Sequence, residues 1–190
     1  LVDSRIRSVS VVVRGGDMLA AGVSALSGHS RVSVAIGGEE RCDSVAAGLD
    51  DLIARGAEEQ DWVLVHDAAR PCLPPESLAA LMEQVLSSGC GGILAQPVPD
   101  TVKRASDHRV TQTIERSDLW LAQTPQMFRL GELRSALSAA RDGKLKVTDE
   151  ASAMELSGMP VQLVRGPRRN LKVTAPEDVE LVRFYLETGV

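Results

Sequence analysis

The stretch Trp62-Val63-Leu64-Val65-His66-Asp67-Ala68-Ala69-Arg70-Pro71 constrains the fold more than any other. Trp62 to Val65 is an apolar run of strand length. It breaks into His66, Asp67 and Arg70 and stops at Pro71, where a strand does not readily continue. A buried parallel strand ending this way places an acid and a base at its carboxyl edge, where open α/β sheets hold ligands. Asp67 is therefore a candidate metal ligand. Arg70 either faces phosphate or stabilises its own loop. An Asp/Arg ion pair closing a turn is the competing reading of this stretch.

Strand and helix signals alternate around it. Val9–Val13 is a β-branched strand candidate, and Arg14 to Asp17 turns. Met18–Leu26 reads as a short helix. Arg31–Ile36 alternates as a second strand and ends in Gly37-Gly38. Val45, Leu49, Leu52 and Ile53 fall at i, i+4, i+7 and i+8, which predicts a helix over Ser44–Arg55 that Gly56 ends. Pro74-Pro75 opens another, with Leu78, Leu81, Met82, Val85 and Leu86 on one side and Gly89 as its stop. Gly92–Val98 is the next strand. This order implies right-handed crossovers and an α/β fold: a mostly parallel sheet with helices on both faces. Only 3% of the chain is aromatic, so the core must be mostly Val, Leu, Ala and Ile.

The pattern then changes. Thr101–Arg104 and Val110–Ile114 are short β-prone runs separated by a polar turn over residues 105–109. They read as a hairpin with too few apolar residues to stand alone. It lies either on the main body or across a second subunit. Helices are expected over Gly131–Ala140 and from Thr148-Asp149-Glu150 to Gly158, with Thr148 as the cap and two acids in the positive first turn. Val161–Val164 and Leu171–Val173 read as strands. Pro176-Glu177-Asp178 opens the last helix, which ends at Gly189. The 190 residues show no repeat and no linker, so a single domain over residues 1–190 is expected, with a hairpin arm at 98–115.

The bulk numbers exclude several function classes. The net charge of −5 argues against a broad nucleic-acid surface but leaves room for a local anion site. Cys42, Cys72 and Cys90 lack CxxC spacing and read as reduced thiols of a cytoplasmic protein. No apolar run reaches membrane-spanning length. The three histidines are scattered, so no zinc site and no histidine base is assigned. No G-x-G-x-x-G follows a strand, which removes a generic dinucleotide-binding oxidoreductase. Two further places carry candidate chemistry. Gly37-Gly38 followed by Arg41 and Ser44 lies between a strand and a helix, where backbone approaches a ligand closely or simply turns. Lys172 sits inside a short strand-like run beside a basic cluster of Arg165, Arg168 and Arg169.

No single feature decides, but the ordered set is specific. Gly37-Gly38-x-x-Arg41-x-x-Ser44-Val45, Val65-His66-Asp67-Ala68-Ala69-Arg70-Pro71, Asp100-Thr101-Val102-Lys103, Arg116, Gln123-Thr124-Pro125-Gln126, Thr148-Asp149-Glu150-Ala151-Ser152, Asn170-Leu171-Lys172-Val173-Thr174 and Pro176-Glu177-Asp178 follow one another across the chain. This set closely resembles the 2-C-methyl-D-erythritol 4-phosphate cytidylyltransferases of the non-mevalonate isoprenoid pathway. The resemblance implies a Rossmann-like nucleotidyltransferase domain. That domain moves CMP from CTP to 2-C-methyl-D-erythritol 4-phosphate, releases pyrophosphate, uses Mg²⁺ or another divalent cation, and pairs into a homodimer through the hairpin. It further implies nucleotide contacts from Gly37, Gly38, Arg41, Ser44, Asp67 and Ala68, with Asp67 also the metal ligand. Thr101 and Arg116 would reach the sugar phosphate across the dimer, and Thr124, Thr148 and Lys172 from the same subunit. Lys172 and Arg70 would act in catalysis. Family members open with a strand and a Gly-rich basic loop that do not precede Leu1, so the domain is expected to be N-terminally incomplete. A catalytically silent, dimeric nucleotide-binding-like module is the alternative expectation.

Overall fold

Four strands form the central sheet: β3 (Trp62–Val65), β4 (Gly92–Pro97), β7 (Trp120–Arg129) and β8 (Gln162–Arg165), in the spatial order β3-β7-β4-β8. The computed structural model describes residues 3–16 and 29–189; the helix expected over Met18–Leu26 lies outside them. Strands β3, β4 and β8 point one way, and β7 alone runs against its neighbours β3 and β4. Mostly parallel strand directions therefore hold. A second, two-stranded parallel ladder pairs β1 (Val9–Val13) with β2 (Val32–Ile36).

Period-two alternation sends the sheet's side chains to opposite faces. Ile93 and Ala95 of β4 and Phe128 of β7 point to one face. They pack there with Leu49 of α1 (Arg41–Ala54), Leu133, Ala136 and Leu137 of α3 (Leu130–Asp142), and Ala153 and Met154 of α4 (Glu150–Leu156). Leu94, Met127 and Val164 point to the other, against Leu81, Met82 and Val85 of α2 (Pro75–Ser88). Helices on both faces are the result. Pro75 stands at the first turn of α2, where its missing N–H costs nothing, and Gly89 closes that helix at φ 68°. The last helix, α5 (Asp178–Thr188), ends at Gly189 in the same left-handed conformation.

Four local readings need correction. The helix expected over Ser44–Arg55 begins at Arg41, one turn before Ser44, because the Asp43 carboxylate accepts the Glu40 N–H at 3.2 Å and closes the start. Arg41 and Ser44 thus share a helix face. Strand β7, ten residues long, was not foreseen. Its Pro125 and its polar Gln123, Thr124 and Gln126 argue against a central strand. The cap of α4 is Asp149, not Thr148. The Asp149 carboxylate accepts the Ser152 N–H at 3.0 Å, and the Ser152 hydroxyl accepts the Asp149 N–H at 3.2 Å. Leu171–Val173 forms no strand. It runs against the loop after β3 and makes a backbone bond there, Val173 N–H to the Ala69 carbonyl at 2.8 Å.

The hairpin is present as β5 (Val102–Ser106) and β6 (Arg109–Ile114), a separate two-stranded sheet. Its turn is tighter than expected. Asp107 and His108 both take positive φ (48° and 60°), as a two-residue turn matched to strand twist requires. Most of its side chains are exposed, Val110 included.

Candidate active site

Asp67 leaves the carboxyl end of β3 and is the hub of a charged cluster. Its Oδ2 lies 2.9 Å from Lys172 Nζ and 3.9 Å from Arg70 Nε, and its Oδ1 lies 3.3 Å from Arg41 Nη2. Burial alone would raise the Asp67 pKa. The Lys172 hydrogen bond and the Arg41 charge outweigh it and hold the carboxyl below the usual range. Lys172 comes from the loop after β8, Arg41 from the first turn of α1, and Arg70 from the same loop as Asp67.

Arg41 is also bound bidentately by Glu150, with Nη2 to Oε2 at 2.9 Å and Nη1 to Oε1 closer still. Burial would lower the Arg41 pKa, but Glu150 and then Asp67 drive it upward, so its charge is permanent. Arg70 is more committed. Its Nη1 donates to the Asn170 carbonyl at 2.7 Å and its Nη2 to the Ala122 carbonyl at 3.4 Å. It therefore ties the Lys172 loop and β7 to the loop after β3, and its Nε, buried near Asp67, has no hydrogen-bond partner among the described residues.

A bulge in β7 supplies the next contact. Between the pairs Ile93–Gln126 and Ala95–Ala122, two steps along β4 face four along β7. Such an irregularity re-aims side chains. Here it accompanies a turn of the Thr124 hydroxyl toward the loop after β3. That hydroxyl accepts the Asp67 N–H at 2.9 Å and lies 2.9 Å from His66 Nδ1, while His66 Nε2 lies 3.0 Å from the Arg70 carbonyl. A carbonyl only accepts, so Nε2 carries the proton and Nδ1 accepts from Thr124. Neutral His66 thus orients the hydroxyl that fixes the Asp67 backbone.

Burial first, and the Arg70 charge after it, hold the His66 pKa below its ordinary 6.5; the hydrogen bonds and Asp67 oppose them without prevailing. Unfolded His66 then binds more protons than native His66 as the solution acidifies. Its contribution to stability is complete above the unfolded pKa of 6.5 and is lost as pH falls through the lower folded value. Thermal melts of the metal-free chain between pH 7.5 and 5 should fall in Tm, and His66→Gln should flatten that fall. Equal slopes in both proteins would exclude this assignment.

Two cavities meet at Arg41 and Asp67. One, of about 440 Å³, is lined by Val9 to Val12, Val63 and Val65, and by Arg41, Ser44, Asp67 and Ala68. The other, of about 240 Å³, is lined by Arg41, Asp67, Arg70, Thr124, Thr148 and Lys172 among others. Freed from capping, Thr148 is exposed. The structure thus brings together Arg41, Ser44, Asp67, Ala68, Arg70, Thr124, Thr148 and Lys172. Gly37 and Gly38 sit just before α1; a Cβ on Gly37 would meet the Ser44 hydroxyl and one on Gly38 would meet Asp43. Thr101 and Arg116 line neither cavity. Arg116 Nη1 donates to the carbonyls of Val98 and Pro99 at the base of the hairpin.

The cluster holds three cations, Arg41, Arg70 and Lys172, against Asp67 and Glu150. The excess of cations favours an anion at this site. Among the described residues no group of three or more His, Cys, Asp or Glu converges as a metal cage. A carboxylate that faces both cavities, as Asp67 does, can share a divalent cation with water and substrate phosphates. Sequence reasoning missed Glu150 as an Arg41 partner, His66 as an orienting group, and Gln126, whose amide binds both Asp149 and the Ala151 N–H.

A profile for 2-C-methyl-D-erythritol 4-phosphate cytidylyltransferases matches residues 1–188. The chain belongs to this family. The enzyme of that name from Bordetella petrii is 52% identical over 187 residues, which cover 98% of this chain and 81% of the relative. The one from Ectopseudomonas mendocina is 54% identical over 160 residues, 84% of this chain and 68% of the relative. A crystal structure of 4-diphosphocytidyl-2C-methyl-D-erythritol synthase superposes with a TM-score of 0.83 at 46% identity, covering 93% of this chain and 81% of that one. Enzymes of this cytidylyltransferase family are nucleotidyltransferases and generally use a divalent cation. No helix among the described residues is long and apolar enough to cross a membrane.

Proposed function

We propose that this cytidylyltransferase domain transfers CMP from CTP to 2-C-methyl-D-erythritol 4-phosphate, releasing pyrophosphate, with the Asp67 cluster as its reacting centre. One observation carries the reading: Arg41 and Asp67 border both cavities. The nucleotide lies on the Arg41, Ser44, Asp67 and Ala68 side, with Gly37 and Gly38 setting the approach to α1. The sugar phosphate lies on the Thr124, Thr148 and Lys172 side. The reaction joins the two where they meet.

The nucleophile is an ionised phosphate oxygen, which attacks the α-phosphorus of CTP as the bond to pyrophosphate breaks. No protein base is needed. The protein must place the two phosphates in line and offset their charge. Lys172 donates at the reacting phosphate, and Arg41 holds the nucleotide. Arg70 adds charge beside them and braces the Lys172 loop. Asp67 would hold the divalent cation, Mg²⁺ by preference, which when bound would offset charge on the phosphate oxygens.

Thr101 and Arg116 serve a second subunit, in a single domain spanning residues 1–190 with an arm at 98–115. Neither residue lines the cavities of its own subunit, which supports this, as do the exposed apolar Val110, Trp120 and Leu121 on and beside the hairpin. Location in the cytoplasm accords with this reading. The deciding assay follows pyrophosphate release with Mg²⁺, the sugar phosphate and each of the four nucleoside triphosphates in turn. Release with CTP alone is expected, and release with no nucleotide would favour a silent binding module.

Arg116→Ala should raise KM for the sugar phosphate by about tenfold, the scale of one charge-assisted hydrogen bond, with KM for CTP unchanged. Mixing Arg116→Ala with Asp67→Asn should restore activity, because mixed dimers would carry one complete site. An unchanged KM would remove Arg116 from the site. A mixture no more active than its components would return the arm to its own subunit.

A further inference from the structure

We infer that Glu150 is a positioning residue that holds the Arg41 guanidinium at the junction of the two cavities. The inference rests on the reading of Arg41 as a nucleotide contact. Glu150 is fully buried, while the Arg41 side chain is 36% exposed and faces both cavities. The pairing is bidentate, so it fixes the guanidinium plane as well as its position. Arg41 Nη2 still reaches Asp67 Oδ1 at 3.3 Å.

The turn that carries Glu150 is itself fixed from the sheet. Gln126 of β7, 1% exposed, accepts the Ala151 N–H at 2.8 Å and donates to Asp149 Oδ2 at 2.9 Å. The Asp149–Ser152 capping box locks the same turn. A rigid path therefore runs from β7 through the start of α4 to Glu150 and on to Arg41. This solves two problems at once. Arginine has a long, flexible stem whose ordering on binding opposes affinity, and Glu150 orders it beforehand. Glu150 also keeps Arg41 from turning wholly onto Asp67, which already faces Lys172.

The test uses the 190-residue chain. In ¹⁵N spectra, the Arg41 guanidinium, assigned through Arg41→Lys, should show slow rotation with resolved Nη signals. Glu150→Gln should collapse them. In kinetics, Glu150→Gln should raise KM for CTP by about tenfold, the scale of one hydrogen bond to a charged group. KM for the sugar phosphate and kcat should stay within about twofold of the parent chain, a difference of the order of RT. Glu150→Asp should recover part of the CTP affinity, and carries the same comparison should Glu150→Gln fail to fold. On an Arg41→Ala background, Glu150→Gln should add nothing. A freely rotating Arg41 in the unaltered chain, or additive losses in the double variant, would overturn the inference. If the unaltered chain shows no CTP-selective release, the assigned reaction falls, while the guanidinium spectra still decide whether Glu150 holds Arg41.

Discussion

Asp67→Asn is expected to cut CTP-dependent pyrophosphate release by at least ~10²-fold, the scale of losing one preorganised electrostatic contact. The amide keeps the shape of the carboxylate and the backbone bond from the Asp67 N–H to Thr124. It removes the one negative charge that Lys172, Arg41 and Arg70 share. It also removes the residue proposed to hold the cation, and an amide oxygen is a weaker ligand for a hard ion. The fold should survive, because Arg41 keeps Glu150 and Arg70 keeps its two carbonyl partners. Acid melts separate the two effects. The lowered pKa of Asp67 means that its ion pairs add stability above the unfolded value of 3.8, and that this is lost as pH falls through the lower folded value. The Asn variant should lack that component of the acid transition: it should melt lower than the unaltered chain near neutrality and converge with it in acid. Turnover close to that of the unaltered chain would remove Asp67 from the reaction.

What the sequence made legible follows from how far each signal reaches. β1, β3 and α2 were legible because strand runs and helix faces repeat over a few residues, and because Gly89 and Gly189 mark helix ends locally. β7 was not. Its central place depends on partners in β3 and β4, and Pro125 with Gln126 makes the local pattern read as a loop. Gln126 earns its burial by pairing with Asp149 and Ala151, which no neighbouring residue announces. The site shows the same division. Asp67 stands out because it ends an apolar strand. Its tie to Lys172 has no local signature, and Arg41 meets Glu150 across 109 positions of chain. His66 was set aside for want of metal-ligand spacing, yet its partner is the hydroxyl of Thr124, 58 positions on. Family resemblance supplied the members of the cluster, whereas the physical reason for their company appears only when β3, β7 and the β8 loop converge.

Lys172→Ala is expected to lower kcat by at least ~10²-fold as well, with little change in stability. The side chain is 45% exposed, and an ion pair at such a position contributes at most ~1 kcal/mol. Two roles are possible for a lysine 2.9 Å from Asp67. As a mere partner of the carboxylate, it would be dispensable once a divalent cation saturates Asp67, and high Mg²⁺ would rescue the alanine variant. As a donor to the reacting phosphate, its loss would persist in kcat at saturating Mg²⁺, CTP and sugar phosphate. The second outcome is expected, because the lysine lines the cavity on the sugar-phosphate side and has donors to spare beyond Asp67. Lys172→Arg should restore only part of the rate. A planar fork does not reproduce a compact ammonium between carboxylate and phosphate, and the site already has two guanidinium groups, each anchored elsewhere. Full rescue by Mg²⁺ would make Lys172 a guard of the Asp67 carboxylate and leave the transferred phosphate to Arg41 and the cation.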